Sequence, residues 1–196
     1  DLDITVFIAP YGEGLAHAYN DLYLQEQFSE FVDIKKQSLI DPLTGINNRR
    51  GFEQSLSNLM LQKHTNDELT SFLSIDLDNL KTINDTYGHA EGDIAIRAVA
   101  DVLAEVVAEK NICARAGGDE FYAIVSSTDP NTKEKTLACF YDLLEKKSKE
   151  LNKEYDLHAS VGIYTVESKH IDKAFEHLQM ADRLMYEAKR KYKEQR

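Results

Sequence analysis

Two cysteines in 196 residues, Cys113 and Cys139, are too few for a disulfide framework, and their spacing matches no zinc site. A reducing, cytoplasmic setting is the expectation that follows. No stretch approaches the ~20 consecutive apolar residues that a membrane span needs, so neither a span nor membrane contact is expected. The chain opens Asp1-Leu2-Asp3, with no initiator methionine and no leader, and reads as a fragment. Positive charge is also short: 23 Lys+Arg against 34 Asp+Glu leave −11. That balance argues against nucleic acid as a partner, while a small anion can still be held locally. Internal repeats and low-complexity tracts are lacking too. What is there, 42% apolar and 29% charged residues, suits a folded domain with a real core, and the length suits one domain plus an appendage.

Residues 3–8, Asp-Ile-Thr-Val-Phe-Ile, predict a strand stopped by Pro10 and Gly12-Glu13-Gly14, and a helix follows over about 15–39. One strand and one helix cannot bury both their faces alone. Residues 1–38 are therefore expected to be the tail of an upstream sensory domain with its connecting helix, and 39–196 the main domain. Pro42 breaks the helix, and Asn47-Asn48 offers a cap for another at about 49–63. Beyond it the pattern predicts a buried strand at 71–76, a helix at about 90–109, and strands at 111–115 and 120–126 joined through Gly117-Gly118 as a hairpin. A helix at about 131–151, a strand at about 157–165 and a helix at about 171–193 complete the chain. Short strands alternating with helices imply one sheet with helices packed on it, and the hairpin makes that sheet partly antiparallel, hence an α+β fold. Residues 186–196 carry five bases and two acids, +3, which taken alone reads as a solvated helix end.

Three acidic groups stand out by position. Asp76 and Asp78 come as Asp-Leu-Asp where an apolar strand ends, Asp119 and Glu120 follow the glycine pair, and Asp93 closes Gly88-His89-Ala90-Glu91-Gly92-Asp93. Magnesium wants hard oxygen ligands, one or two of them carboxylates, with water and phosphate as the remainder. A strand end beside a hairpin tip would offer such a set. The bland alternative is that these acids cap helices and decorate turns. For Asp78 the cap is the preferred reading; for Asp76 and Asp119, which would repel each other without a cation, residue chemistry leaves the two readings level.

Arg115-Ala-Gly-Gly-Asp-Glu-Phe121 contains the signature that names the GGDEF family of diguanylate cyclases, and the resemblance does not stop there. Asp41-Pro-Leu-Thr-Gly-Ile-Asn-Asn-Arg-Arg-Gly-Phe52 resembles the family's opening segment, and Ser74 to Asp93 its first strand and nucleotide loop. Ala159-Ser-Val-Gly-Ile163 and Ala181-Asp-Arg-Leu-Met-Tyr-Glu-Ala-Lys189 resemble its last strand and final helix. The matches are collinear from about 38 to 193, nearly four-fifths of the chain.

The resemblance implies a nucleotidyl-cyclase palm with a ferredoxin-like core, a mixed central sheet flanked by helices and preceded by a linker helix. It implies condensation of two GTP into cyclic di-GMP with release of two pyrophosphates, each 3′-hydroxyl attacking the α-phosphate of the other nucleotide. Two magnesium ions per site, with manganese as a substitute, would be held by Asp76, the carbonyl of Leu77, Asp119 and Glu120. Asp119 and Glu120 are also the expected proton acceptors, Asp119 first. Asn84 and Asp93 correspond to the guanine readers, since a carboxylate accepts from guanine N1–H and N2–H₂ and an amide both donates and accepts. His89 either lines the same pocket or is a turn residue. Lys81, Lys189 and Lys193 match triphosphate-holding positions, with backbone N–H groups of 78–80 at a helix start. The reaction implies a homodimer, two half-sites facing each other, with the sensory domain setting their geometry through the helix at 15–39. The alternative activity is that of a catalytically inactive GTP-binding regulator, and a third is a cyclase for another nucleotide pair, against which Asp93 argues.

Three departures from the family pattern qualify this. Asn79-Leu80 stands where aromatics often follow Asp-x-Asp. Tyr192-Lys193-Glu194 replaces the usual Gly-Arg-Asn, so a bidentate guanidinium gives way to a point charge. The product-binding Arg-x-x-Asp is replaced by Ala108-Glu109-Lys110-Asn111, which lacks both defining charges. No feedback inhibition through that stretch is therefore expected: turnover measured with added cyclic di-GMP should not show strong inhibition that substitutions at 108–111 relieve.

Overall fold

An apolar nine-residue segment, Leu69–Leu77, forms the middle of the structure because eight of its nine residues are buried and its two faces pack on different layers. The computed structural model of the chain describes residues 39–62, 68–107 and 112–194, all inside the unit Leu39–Arg196. The strand expected at 3–8, the linker helix up to residue 38, the 108–111 stretch and Arg196 lie outside the described residues.

The strands are β1 (Asn47–Asn48), β2 (Leu69–Leu77), β3 (Ile112–Arg115), β4 (Glu120–Ser127) and β5 (Ala159–Glu167), in the order β1-β3-β4-β2-β5. β1 pairs parallel with β3, and the other pairings are antiparallel, including the expected hairpin of β3 with β4. The helices are α1 (Arg49–Met60), α2 (Leu80–Tyr87), α3 (His89–Val107), α4 (Thr132–Leu151) and α5 (Ala174–Glu194). A 3₁₀ segment, Ser168–Lys173, precedes α5 and takes the residues where the sequence pattern had placed the start of the helix. The mixed sheet with helices on both faces is the α+β arrangement expected. Among the described residues, no helix is long and apolar enough to cross a membrane.

Strand alternation sorts the core. Leu73, Ile75, Leu77, Phe121, Ala123 and Val161 point to one side and pack with α3 and α4 (Val99, Leu103, Phe140, Leu144). Phe72, Ile124 and Tyr164 point to the other, where they meet α1 and α5 through Phe52, Leu56, Leu178 and Ala181. On that second face the β2 pattern turns polar toward its end, with Ser74 and then Asp76. The Asn48 side chain caps α1 by accepting from the Gly51 N–H at 3.0 Å, as the sequence suggested.

The seat of α5 on the sheet depends on Gly162. A Cβ there would lie 2.1 Å from the Ala181 carbonyl oxygen and 2.2 Å from the Met185 nitrogen, main-chain atoms that cannot rotate away. Gly162→Ala should therefore lift α5 from β5 and lower stability by about 3 kcal/mol, the upper range for overpacking, as read from urea denaturation.

Candidate active site

Two of the expected residues stand where the ladder ends. Asp76, one residue before the end of β2, is only 5% exposed and lies in register opposite Glu120 on one side and Ser160 on the other. The β3–β4 turn is tied to the same place: the Leu77 N–H donates to the main-chain oxygen of Asp119 at 2.9 Å, and the Ala116 N–H to that of Glu120 at 2.8 Å. Arg115 braces the turn from outside, Nε and Nη2 donating to the Gly118 carbonyl at 3.2 and 2.8 Å and Nη1 to the Asp41 carboxylate at 3.3 Å. Asp41 also accepts from the Thr44 N–H and hydroxyl at 3.0 and 2.7 Å. Burial alone would raise the Asp41 carboxyl, but Thr44 and the Arg115 charge outweigh it and hold it below the usual carboxylate range.

Lys189 reaches in from α5, its Nζ 2.5 Å from Asp76 Oδ1. Burial pushes the Asp76 carboxyl above its ordinary value; Lys189 opposes the shift without cancelling it, and the Asp119 and Asp78 charges add to it. For Lys189 burial works the other way, toward the neutral amine, yet Asp76, Asp119 and Asp78 together hold it above its ordinary value. The two partners differ because one ammonium faces three carboxylates, while each carboxylate has only a share of one ammonium.

The oxygen donors of Asp76 and Asp119 suit a hard divalent cation. Among the described residues, no three His, Cys, Asp or Glu side chains converge to enclose a metal. A cation here would draw its remaining ligands from main chain, water or phosphate. Glu120 is exposed and borders a cavity of about 600 Å³ between β4 and α5, with Ser74, Tyr122, Asp182, Tyr186 and Arg190 on its walls.

The nucleotide-loop candidates gather at the α2–α3 junction. Gly92, directly before Asp93, lies against Asn84: a Cβ there would fall 1.9 Å from Asn84 Oδ1, so a larger residue would have to push the Asn84 side chain aside. His89 is the first residue of α3 and exposed; Lys81 on α2 and Lys193 on α5 are exposed as well.

Asp78 departs from expectation. Asn79, not Asp78, is the N-cap residue of α2, in a left-handed conformation (φ 61°) and with no side-chain capping bond. Asp78 is instead buried, its Oδ2 accepting from His158 Nδ1 at 2.7 Å and from Ser160 Oγ at 2.8 Å. Sequence reasoning assigned His158 and Ser160 no role. The available signal was their alternation with Leu157, Ala159 and Val161, which puts both polar side chains on one face.

Residues 38–195 match the family model described as diguanylate cyclase, GGDEF domain. Diguanylate cyclase DgcP of Escherichia coli K12 is 36% identical over 163 residues, covering 79% of this chain and 45% of its own length. Diguanylate cyclase DgcS of Shewanella oneidensis is 28% identical over 160 residues, covering 82% and 52%. The chain thus spans about half the length of these relatives. Among solved structures, the coiled coil and GGDEF domain of DgcB from Caulobacter crescentus, in complex with c-di-GMP, has a TM-score of 0.76 at 23% identity, over 90% of this chain and 94% of that one. That likeness shows the fold, the palm-like mixed sheet that the sequence resemblance implied.

A buried carboxylate whose pKa is raised costs the fold stability at neutral pH, and that cost disappears as pH falls and the group takes up its proton. Asp76→Asn, neutral and nearly isosteric, should therefore unfold a few degrees higher than the parent at neutral pH, at roughly 2–4 °C per kcal/mol for a chain of this size. Lys189, partly exposed, can rehydrate. The gap should close as pH falls through the carboxylate range, which thermal unfolding followed by circular dichroism will read.

Proposed function

The chain belongs to the GGDEF family of diguanylate cyclases, and from that premise we propose that it condenses two GTP into cyclic di-GMP with release of two pyrophosphates. The observation that carries this reading is the meeting of Asp76, Asp119 and Lys189 at the end of β2. Magnesium, when held by Asp76, the Leu77 carbonyl, Asp119 and Glu120, supplies charge for the triphosphate and for the oxygens that attack and leave. Asp119, assisted by Glu120, takes the proton from the 3′-hydroxyl. Asp93 accepts from guanine N1–H and N2–H₂, and Asn84 completes the base edge with its amide; His89 lines the same pocket. Lys81, Lys189 and Lys193, with the N–H groups of 78–80, hold the triphosphate.

Each protomer binds one nucleotide, so the product forms only when two sites face each other across a two-fold axis. The segment before residue 39 is the element through which an upstream sensory domain sets that geometry, and the domain works in the cytoplasm. A cation beside Asp76 and Asp119 would relieve the repulsion between those two carboxylates.

The test is to incubate enforced dimers with GTP, ATP or both, plus magnesium, and identify products by mass. Cyclic di-GMP from GTP alone is expected. Nucleotide binding without turnover would mean an inactive regulator, and an adenine-containing dinucleotide would mean another cyclase specificity. Asp119→Asn should lower kcat by roughly 10²–10⁴-fold, the usual contribution of a positioned proton acceptor, with the fold intact.

A further inference from the structure

Three hydrogen bonds fasten the β2–α2 turn to the start of β5 at a single residue. The Asp78 N–H donates to the His158 carbonyl at 2.9 Å, and the Asp78 carboxylate accepts from His158 Nδ1 and Ser160 Oγ. Asn79 follows in the left-handed region, which asparagine adopts more readily than other side-chain-bearing residues. The other face of His158 is covered: its ring lies against that of Tyr192 with centroids 3.7 Å apart and planes 5° from parallel. Tyr192 belongs to α5, three residues beyond Lys189 and directly before Lys193. One stacked pair therefore joins the turn formed by residues 78–80 to the helix that carries two of the triphosphate lysines.

We propose that His158 and Tyr192 are positioning residues for the triphosphate. Their stack clamps the last turns of α5 to the Asp78 turn, and so sets how far the N–H groups of 78–80 stand from the ammonium groups of Lys189 and Lys193. The inference rests on the reading that these groups hold a nucleotide triphosphate. It also accounts for a departure in the sequence. Tyr192-Lys193 stands where the resembling family usually has Gly-Arg. A guanidinium fork fixes its own direction on a phosphate, whereas an ammonium on a four-carbon stem does not. Where the fork is missing, direction comes from holding the helix itself, and a glycine before Lys193 would offer no ring to hold it by.

The test uses Tyr192→Ala, Tyr192→Gly, Tyr192→Phe and His158→Ala in the full chain. Calorimetric titration with magnesium and a non-hydrolysable GTP analogue is compared with guanosine, alongside thermal unfolding. Tyr192→Ala and Tyr192→Gly should weaken the analogue about three- to tenfold, the range of one aromatic pair, while Tyr192→Phe stays within about twofold of the parent. His158→Ala, which also removes a donor from Asp78, should weaken it further. Guanosine affinity should not move in any variant.

Analogue affinity unchanged in Tyr192→Ala overturns the proposal, as does a parallel loss for guanosine, which would mean a loosened fold. Failure of Tyr192→Phe to restore binding overturns the stacking basis in the same way. A parent that binds the analogue but never forms a cyclic dinucleotide overturns only the catalytic reading, because the comparison of variants still stands. A parent that binds neither ligand overturns both.

Discussion

Antiparallel register carries a carboxylate into the buried end of the central sheet, and the surrounding structure is organised around that charge. Asp76 has no freedom to leave: its neighbours on both sides are fixed by the ladders to β4 and β5. A buried carboxylate is costly unless it is paired, and the pairing has to be accurate to repay desolvation. Lys189 offsets part of that cost from 113 positions away, which makes the seat of α5 a condition for the charge at β2. That seat depends in turn on a missing side chain at Gly162. Register, charge and helix packing are therefore one constraint and not three.

The opposite side of the site is held by a second set of bonds. The β3–β4 turn would be an exposed tip if only its own ladder held it. Arg115 closes it by donating to Gly118, and Asp41, itself gripped by Thr44, holds Arg115 in turn. Both members of that ion pair are largely shielded from water, so it is screened far less than a surface bridge would be. The entry turn at residues 41–45 and the turn that places Asp119 are thereby tied together through Arg115.

Sequence reasoning read best where local pattern and environment agree. The β2 run, the β3–β4 hairpin and the long helices α3 and α4 carry periodicity that survives folding. β1 was invisible because two residues have no period, and α2 was anticipated only as a helix start after residue 80, since Gly88 separates it from α3. The start of α5 was misplaced because a 3₁₀ segment has similar composition to a helix turn. At the candidate site, Asp76 and Asp119 stand out in the sequence by their positions at a strand end and a turn. The Lys189–Asp76 pair was not legible, because nothing local in α5 says which carboxylate its lysine meets. The fate of Asp78 was illegible for the same reason: its donors lie 80 and 82 positions along the chain. A short polar side chain just before a helix reads as a cap until a distant strand is known to pass beside it.

Net charge says equally little about a local site. A chain at −11 repels an anion only at long range, and that repulsion is screened within about 8–10 Å at physiological ionic strength. What a triphosphate would meet is set inside that distance, by which groups are fixed and where. At the end of β2 one ammonium faces three carboxylates. Adding cations elsewhere on α5 would change the total and leave this local imbalance as it is. An anion would meet a favourable field here only where positive groups are fixed beside it, so the attachment of α5 sets the local charge as much as the number of lysines it carries.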